Sequence, residues 1–73
     1  MASDDKREQI EKAFTYHAPH GNQAERYTKL RENAKLFAHL IVELTPASRE
    51  QSLALTNLET SVMFANAAIA RNE

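Results

Sequence analysis

The stretch YTKLRENAKLFAHLIVELTPASREQ (27–51) decides the fold of this chain. In its first part, apolar residues recur at alternating spacings of three and four, which is the pattern of one face of an α-helix. Those residues are Tyr27, Leu30, Ala34, Phe37, Ile41 and Leu44. Pro46 ends the pattern, because proline disfavours helical geometry in the residue before it and suits the first turn of a new helix.

A second helix of the same kind follows this turn. Ser48 and Gln51 match a capping box, which marks a helix N-terminus. Beyond them, the same spacing continues in Leu55, Leu58, Val62, Ala65 and Ile69. Two helices of similar length that are joined by a short turn predict an antiparallel helical hairpin.

A short helix is predicted before the hairpin. Asp4 and Asp5 place capping side chains and negative charge ahead of KREQIEKAF (6–14), and Pro19 and Gly21 then break regular structure. We therefore predict an all-α fold in a single domain over residues 1–73. Its parts are helix 1 at about 4–14, a loop at 15–22, helix 2 at about 22–43, a turn at 44–48 and helix 3 at about 48–71.

The size of the chain predicts self-association. With 73 residues and no cysteine, one small core supplies only a few kcal/mol, and disulfides cannot add to it. Helix 3 is apolar nearly all round from Val62 to Ala70, and such a helix is normally buried on every side. We expect a homo-oligomer, and the alternative is that helix 1 covers this surface within a monomer.

Charge and composition exclude several classes of protein. Nine Lys and Arg residues against ten Asp and Glu residues give a net charge of −1, whereas domains that bind duplex nucleic acid usually have a pI above 9. No apolar run reaches the ~18 residues of a membrane span, and MASDDKREQ (1–9) has no apolar signal region. We expect a soluble, intracellular protein that binds neither duplex nucleic acid nor membrane.

Two local groups of residues suit a small anionic ligand. Four cations fall within residues 26–35 and can hold phosphates by charge-assisted hydrogen bonds, although a solvated helix face explains them as well. Tyr16 and His17 lie in the loop, where an aromatic ring can stack on a base. The alternative for Tyr16 is that, with Phe14, it fixes the loop to the hairpin.

The sequence gives no support for catalysis or for a metal site. It has no cysteine, no P-loop and no G-x-S-x-G motif. His17 and His20 are separated by Pro19 and lack a nearby third ligand, whereas zinc usually takes three or four. We predict a protein that is not an enzyme and has no cofactor or metal.

Four segments in this order resemble a known family. They are FTYHAP (14–19), QAERYTKLR (23–31), TPASREQ (45–51) and LETSVMFANAAIARN (58–72). The combination resembles the small phage anti-CBASS nucleotide sponges, whose helical hairpin is shared with a phage anti-Thoeris sponge. The most specific part is the tail ANAAIARN (65–72).

The resemblance implies a function in phage anti-defence. Such a protein sequesters cyclic oligonucleotide second messengers without cleaving them, and so blocks activation of the CBASS effector. The implied ligands are cyclic dinucleotides such as 3',3'-cGAMP and, in separate pockets, cyclic trinucleotides. The implied assembly is a hexamer of interlocked dimers in the cytoplasm of the infected bacterial host.

The resemblance also implies roles for individual residues. Tyr16 matches the aromatic residue that stacks on a base of the cyclic dinucleotide, and Arg31 matches the basic residue that contacts its phosphates. The tail motif alone puts Asn66 and Arg71 in the cyclic trinucleotide pocket. Three further residues are added to the first site because they are close to it in sequence: His17, Lys29 and Lys35.

Two other functions remain open from the sequence. The hairpin is also consistent with a protein-interaction module that docks on a host protein through the apolar surface of helix 3. A sponge for cyclic ADP-ribose isomers is the other alternative, since the anti-Thoeris relatives capture those ligands.

Overall fold

The computed structural model describes the backbone of residues 2–73 and the side chains of residues 5–73. It contains three helices: α1 (Ala2–Phe14), α2 (Gln23–Leu44) and α3 (Arg49–Asn72). The part of the chain that is described has no strand. The predicted all-α fold with a short first helix and a long hairpin is confirmed, and each helix begins and ends within two residues of its predicted position.

The turn between α2 and α3 is held by local hydrogen bonds. The hydroxyl of Ser48 accepts a hydrogen bond from the backbone N–H of Gln51 at 3.1 Å, which caps α3. The side chain of Gln51 does not complete the reciprocal capping box. Its Nε2 donates instead to the backbone oxygen of Thr45 at 3.0 Å, so Gln51 connects the start of α3 to the end of α2.

The loop before α2 reverses direction at the one glycine of the sequence. Gly21 has a φ of +57°, a left-handed conformation that residues with a Cβ atom adopt at a cost. Next to it, Gln23 is the one fully buried residue among those whose side chains are described, with 3% of its surface exposed. Its Oε1 accepts a hydrogen bond from the backbone N–H of His20 at 3.2 Å, which fixes the loop to α2.

A bidentate ion pair closes the hairpin at the end opposite to the turn. The guanidinium of Arg26, on the first turns of α2, binds both carboxylate oxygens of Glu73, which follows α3, and one of the two bonds measures 2.8 Å. Arg26 Nε also donates to the side-chain oxygen of Asn22 at 3.1 Å. Asn22 precedes α2 but forms no side-chain capping bond to the helix.

The interior of the single chain is sparse. The apolar stripes of α2 and α3 face each other, but none of the hydrophobic side chains described is fully buried. The chain measures 48 × 31 × 14 Å and has 6017 Å² of accessible surface, whereas a compact monomer of this mass exposes about 4,600 Å². Much of the apolar surface therefore stays in contact with water in one copy of the chain.

Helix α1 does not cover the apolar surface of α3. Met63 and Phe64 keep 63% and 68% of their surfaces exposed, although they belong to the segment that is apolar nearly all round. Helix 1 therefore leaves at least this part of the apolar surface uncovered in the single chain. Separately, none of the helices described has the length and apolar character required to cross a membrane.

Candidate functional site

A depression lies where the loop after α1 meets the end of α3, and we call it the loop pocket. Its volume is about 390 Å³. It is lined by Lys12, Ala13, Thr15, Tyr16, His17, Tyr27, Asn66, Ala67, Ala70 and Arg71. All three helices contribute residues to it. The pocket is therefore formed by several elements together, at the end of the hairpin opposite to the turn.

The aromatic ring of Tyr16 is free at the edge of the loop pocket. It keeps 84% of its surface exposed, and Phe14 keeps 85%. Neither ring fixes the loop to the hairpin in the single chain, which was the alternative reading of this segment. An exposed ring at a pocket edge has a face available for stacking on a planar ligand.

Two polar atoms in the walls of the loop pocket lack hydrogen-bond partners. They are Nε2 of His17 and Oδ1 of Asn66, and each is shielded from water. A buried polar atom without a partner costs free energy, and in native proteins such atoms usually mark a site where a partner is missing.

The charge of the loop pocket favours an anion. Lys12 and Arg71 line it, and none of the lining residues is acidic. Small alanines form part of the wall, which leaves room for a ligand next to the two cations. A phosphate in this position would meet two positive side chains that can donate charge-assisted hydrogen bonds to it.

The basic residues of α2 continue from the loop pocket along the hairpin. Arg31 and Lys35 line a neighbouring, mostly apolar groove of about 490 Å³, which we call the basic groove and which also contains Glu59. Tyr27, Arg31 and Lys35 are spaced four residues apart, so they lie on one side of α2. Arg31 approaches Glu32 only at 3.9 Å and stays 65% exposed at its side chain, so its guanidinium is available to a ligand.

Lys29 lies on the other side of α2. It lines a third, mostly apolar groove together with Phe37 and Ser61. Two residues along an α-helix correspond to a rotation of roughly 200°, so Lys29 and Arg31 point in nearly opposite directions. Within one chain, Lys29 does not share a depression with the other predicted residues.

The structure thus groups the predicted site residues differently from the sequence. Tyr16 and His17, predicted for one ligand, lie in the same pocket as Asn66 and Arg71, predicted for another. Arg26 belongs to the same basic segment, but Glu73 occupies its guanidinium. No group of three metal-ligating side chains occurs among the described residues.

Two lining residues of the loop pocket were not singled out in the sequence. Lys12 precedes Tyr16 by four residues, at the end of α1. Its closeness to Tyr16 in the sequence is the feature that could have indicated a place in the same pocket. Tyr27 belongs to the apolar stripe of α2, and its spacing of four residues from Arg31 is the sequence feature that indicates its second role. Lys12 and Tyr27 come from α1 and α2, and the pocket brings them together with the loop.

A family model matches residues 6–70, which is most of the chain, and its description is the Acb2/Tad1 hairpin domain. The chain belongs to the Acb2/Tad1 hairpin family. This family comprises the anti-CBASS and anti-Thoeris sponges, so the resemblance that the four segments carried is confirmed. The match includes the loop, all of α2, α3 as far as residue 70 and Asn66 of the pocket, and it ends one residue before Arg71.

Searches of curated proteins and of solved structures returned no match. Membership of the Acb2/Tad1 family implies a non-catalytic protein that binds cyclic nucleotide messengers. The loop pocket is consistent with such a ligand, because it combines a free aromatic face, two cations and unpaired polar atoms.

Proposed function

We propose that this protein is a phage anti-defence sponge that binds cyclic oligonucleotide messengers and keeps them from the CBASS effector. The ligands that we propose are cyclic dinucleotides such as 3',3'-cGAMP, and cyclic trinucleotides. The protein holds them without cleaving them, and it acts in the cytoplasm of the infected bacterial host. Cyclic ADP-ribose isomers, the ligands of the anti-Thoeris branch, are the alternative.

The observation that carries this proposal is the composition of the loop pocket. Tyr16 offers a stacking face at its edge, and Arg71 and Lys12 offer positive charge within it. A cyclic oligonucleotide has the same two features, planar bases and a compact phosphate ring. A chain with a net charge of −1 can attract such a small anion through local cations, while it repels long nucleic acid.

The basic groove extends the site toward a second phosphate. Arg31 and Lys35 lie on the same side of α2 as Tyr27, which lines the loop pocket. We assign Arg31 to phosphate binding, where its planar fork can hold two phosphate oxygens at once. Lys35, one helical turn further on, adds charge at the distal end of the groove.

A second copy of the chain is needed to enclose a ligand. The loop pocket and the basic groove are both open depressions, and Tyr16 in the first and Met63 in the second are exposed. A homo-oligomer, in our proposal a hexamer of interlocked dimers, would bury this surface and close the pockets. Lys29, on the opposite side of α2, would then contribute to a site formed together with another copy of the chain. Preformed pockets of this kind bind rigid ligands with a low entropic cost.

Native mass spectrometry of the protein with cyclic dinucleotides, cyclic trinucleotides and cyclic ADP-ribose isomers tests the proposal. We expect an oligomer that carries intact ligand, and the same compound should be recovered after heat denaturation. A hydrolysed product would indicate an enzyme. Absence of binding to every compound would contradict the proposal and favour a protein-interaction module.

Substitutions at Tyr16 and Arg31 locate the site by calorimetry. Tyr16→Ala should weaken cyclic dinucleotide binding by roughly 5- to 150-fold, since stacking on one base contributes about 1–3 kcal/mol. Tyr16→Phe keeps the ring and should bind normally. Arg31→Ala should also weaken binding, whereas Arg49→Ala, at the far end of the hairpin, should not. Normal affinity in both Tyr16→Ala and Arg31→Ala would exclude this pocket.

A further inference from the structure

Gln23 is joined to His20 by a reciprocal set of hydrogen bonds, which ties the loop to α2. Oε1 of Gln23 accepts from the backbone N–H of His20 at 3.2 Å, and the backbone N–H of Gln23 donates to the backbone oxygen of His20 at 3.1 Å. A third contact of 3.4 Å joins Nε2 of Gln23 to Nε2 of the His20 ring. Because Gln23 is only 3% exposed, its amide depends on protein partners.

The backbone bond determines the orientation of the Gln23 amide, and with it the position of the proton on His20. A backbone N–H can only donate, so the amide atom next to it is the oxygen, and the amide nitrogen with its two protons faces the ring. The ring nitrogen that meets this donor has to accept. His20 is therefore neutral in this contact, with its proton on Nδ1 and the lone pair of Nε2 directed at Gln23.

Protonation of His20 removes this acceptor. In a charged imidazole both nitrogens carry a proton, so a donor of the ring would face a donor of Gln23. The buried amide would lose one partner, and the two groups would have to move apart. Of the three hydrogen bonds that join the loop to Gln23, this one alone depends on the charge of the ring.

The charged groups near the ring offer it another partner. The Arg26 guanidinium lowers the pKa of Glu73 to about 2. Gln23 and His20 add to this shift, so both lie near the carboxylate. The pKa of Arg26 is raised by its hydrogen bond to Glu73. Both groups of this ion pair stay charged between about pH 5 and 8, where histidine titrates, so the carboxylate is available to attract a protonated ring.

We propose that His20 is a pH-sensitive switch at the base of the loop. When neutral, its ring accepts from the buried amide of Gln23 and holds the loop on α2, and when protonated it leaves Gln23 and turns to the carboxylate of Glu73. This inference does not depend on the proposed function, because every contact in it belongs to the free chain. Tyr16 lies in the same loop, so the switch affects how firmly that residue is held.

Long-range proton–nitrogen NMR spectra of the full chain test the contact with Gln23. Above the pH range in which His20 titrates, the wild-type ring should be in the Nδ1–H tautomer. Gln23→Ala should lose this preference, because the donor is gone. Gln51→Ala, which changes the corresponding glutamine at the start of α3, is the matched control and should leave the ring unchanged. An Nε2–H tautomer of His20 in the wild-type protein would overturn the proposal.

A pH titration tests the switch itself. As the His20 ring becomes charged, the side-chain amide signals of Gln23 should shift with the same midpoint. The hydrogen-exchange protection factor of the backbone N–H at position 20 should fall about two- to tenfold, as expected for the loss of one hydrogen bond. In His20→Phe neither quantity should follow a histidine titration, whereas His39→Phe, on α2, should behave as the wild-type protein does.

The movement of the ring has its own readout. Nuclear Overhauser contacts between the His20 ring and the Glu73 side chain should strengthen on protonation, and unchanged contacts would show that the ring does not change partner. Gln23 signals that do not follow the His20 titration, or that still follow one in His20→Phe, would contradict the switch. Circular dichroism over the same pH range should show constant helix content, and a loss of helix would mean that the change is unfolding instead.

Discussion

The carboxylate of Glu73 is strongly perturbed by its partner. The hydrogen bond from the Arg26 guanidinium, with a further contribution from the Gln23 side chain, lowers the pKa of Glu73 from its ordinary value near 4.5 to about 2. The same contact raises the pKa of Arg26. Because the folded-state pKa of Glu73 is depressed, the pair stabilises the fold above pH 4.5, and this contribution is lost as the pH falls toward 2.

A substitution at Glu73 tests this pair. Glu73→Gln should lower the melting temperature only slightly at pH 7, since exposed ion pairs contribute little. The difference from the wild-type protein should shrink between pH 4.5 and pH 2, as the wild-type carboxylate becomes protonated. Thermal melts monitored by circular dichroism over this range provide the measurement, and Glu59→Gln, on the exposed surface of α3, is the control. A difference that does not depend on pH would show that the ion pair is not its cause.

At the scale of the helices, the cap at Ser48 determines where α3 begins. Ser48→Ala removes the acceptor for the Gln51 backbone N–H and should destabilise the protein by about 1 kcal/mol. Urea unfolding measures this change, and Ser52→Ala, one helical turn further into α3, is the matched control. Equal stability of Ser48→Ala and the wild-type protein would mean that the turn is held mainly by the Gln51 side chain on Thr45.

The helices were predictable from the sequence because their signals are local. The three- and four-residue spacing from Tyr27 to Leu44 and the cap at Ser48 need no knowledge of distant residues. The Arg26–Glu73 pair joins residues 47 positions apart, and no local pattern indicates it. For the same reason the sequence does not indicate that Asn66 and His17 line one pocket, since this grouping depends on the position of the loop relative to the hairpin.

Lys29 lies apart from the basic residues with which the sequence groups it. Lys29 and Arg31 are close in the sequence, and proximity alone suggested a common site. Helical geometry puts them on opposite sides of α2, and the structure has them in different grooves. The rotation of about 100° per residue was available from the sequence, so this separation could have been predicted.

At the scale of the whole molecule, the exposed apolar surface is the feature that a partner must cover. Phe64, Met63 and Leu36 are each more than 60% exposed. Burial of such side chains contributes about 25 cal/mol per Å² of apolar surface, so association of several copies would add stability that one copy lacks. This supports the homo-oligomer that we propose.

A charge on α3 tests this assembly. Ala68 is exposed within the apolar segment of α3, and Ala68→Glu should dissociate the oligomer, because a buried unpaired carboxylate is costly. Multi-angle light scattering measures the mass. Ala47→Glu makes the same change in the exposed turn and should leave the mass unchanged. An Ala68→Glu protein with the wild-type mass would exclude this surface as the interface.

The position of the loop pocket has a consequence for how a ligand would be held. The chain itself joins α2 and α3 at one end of the hairpin, whereas at the other end the Arg26–Glu73 ion pair connects them. The loop pocket lies at that second end and touches the loop, α2 and the last turns of α3. A molecule bound there would act as a non-covalent cross-link between the two ends of the chain. A bound ligand would therefore restrain the start of α2 and the end of α3, and its release would require these helix ends to separate.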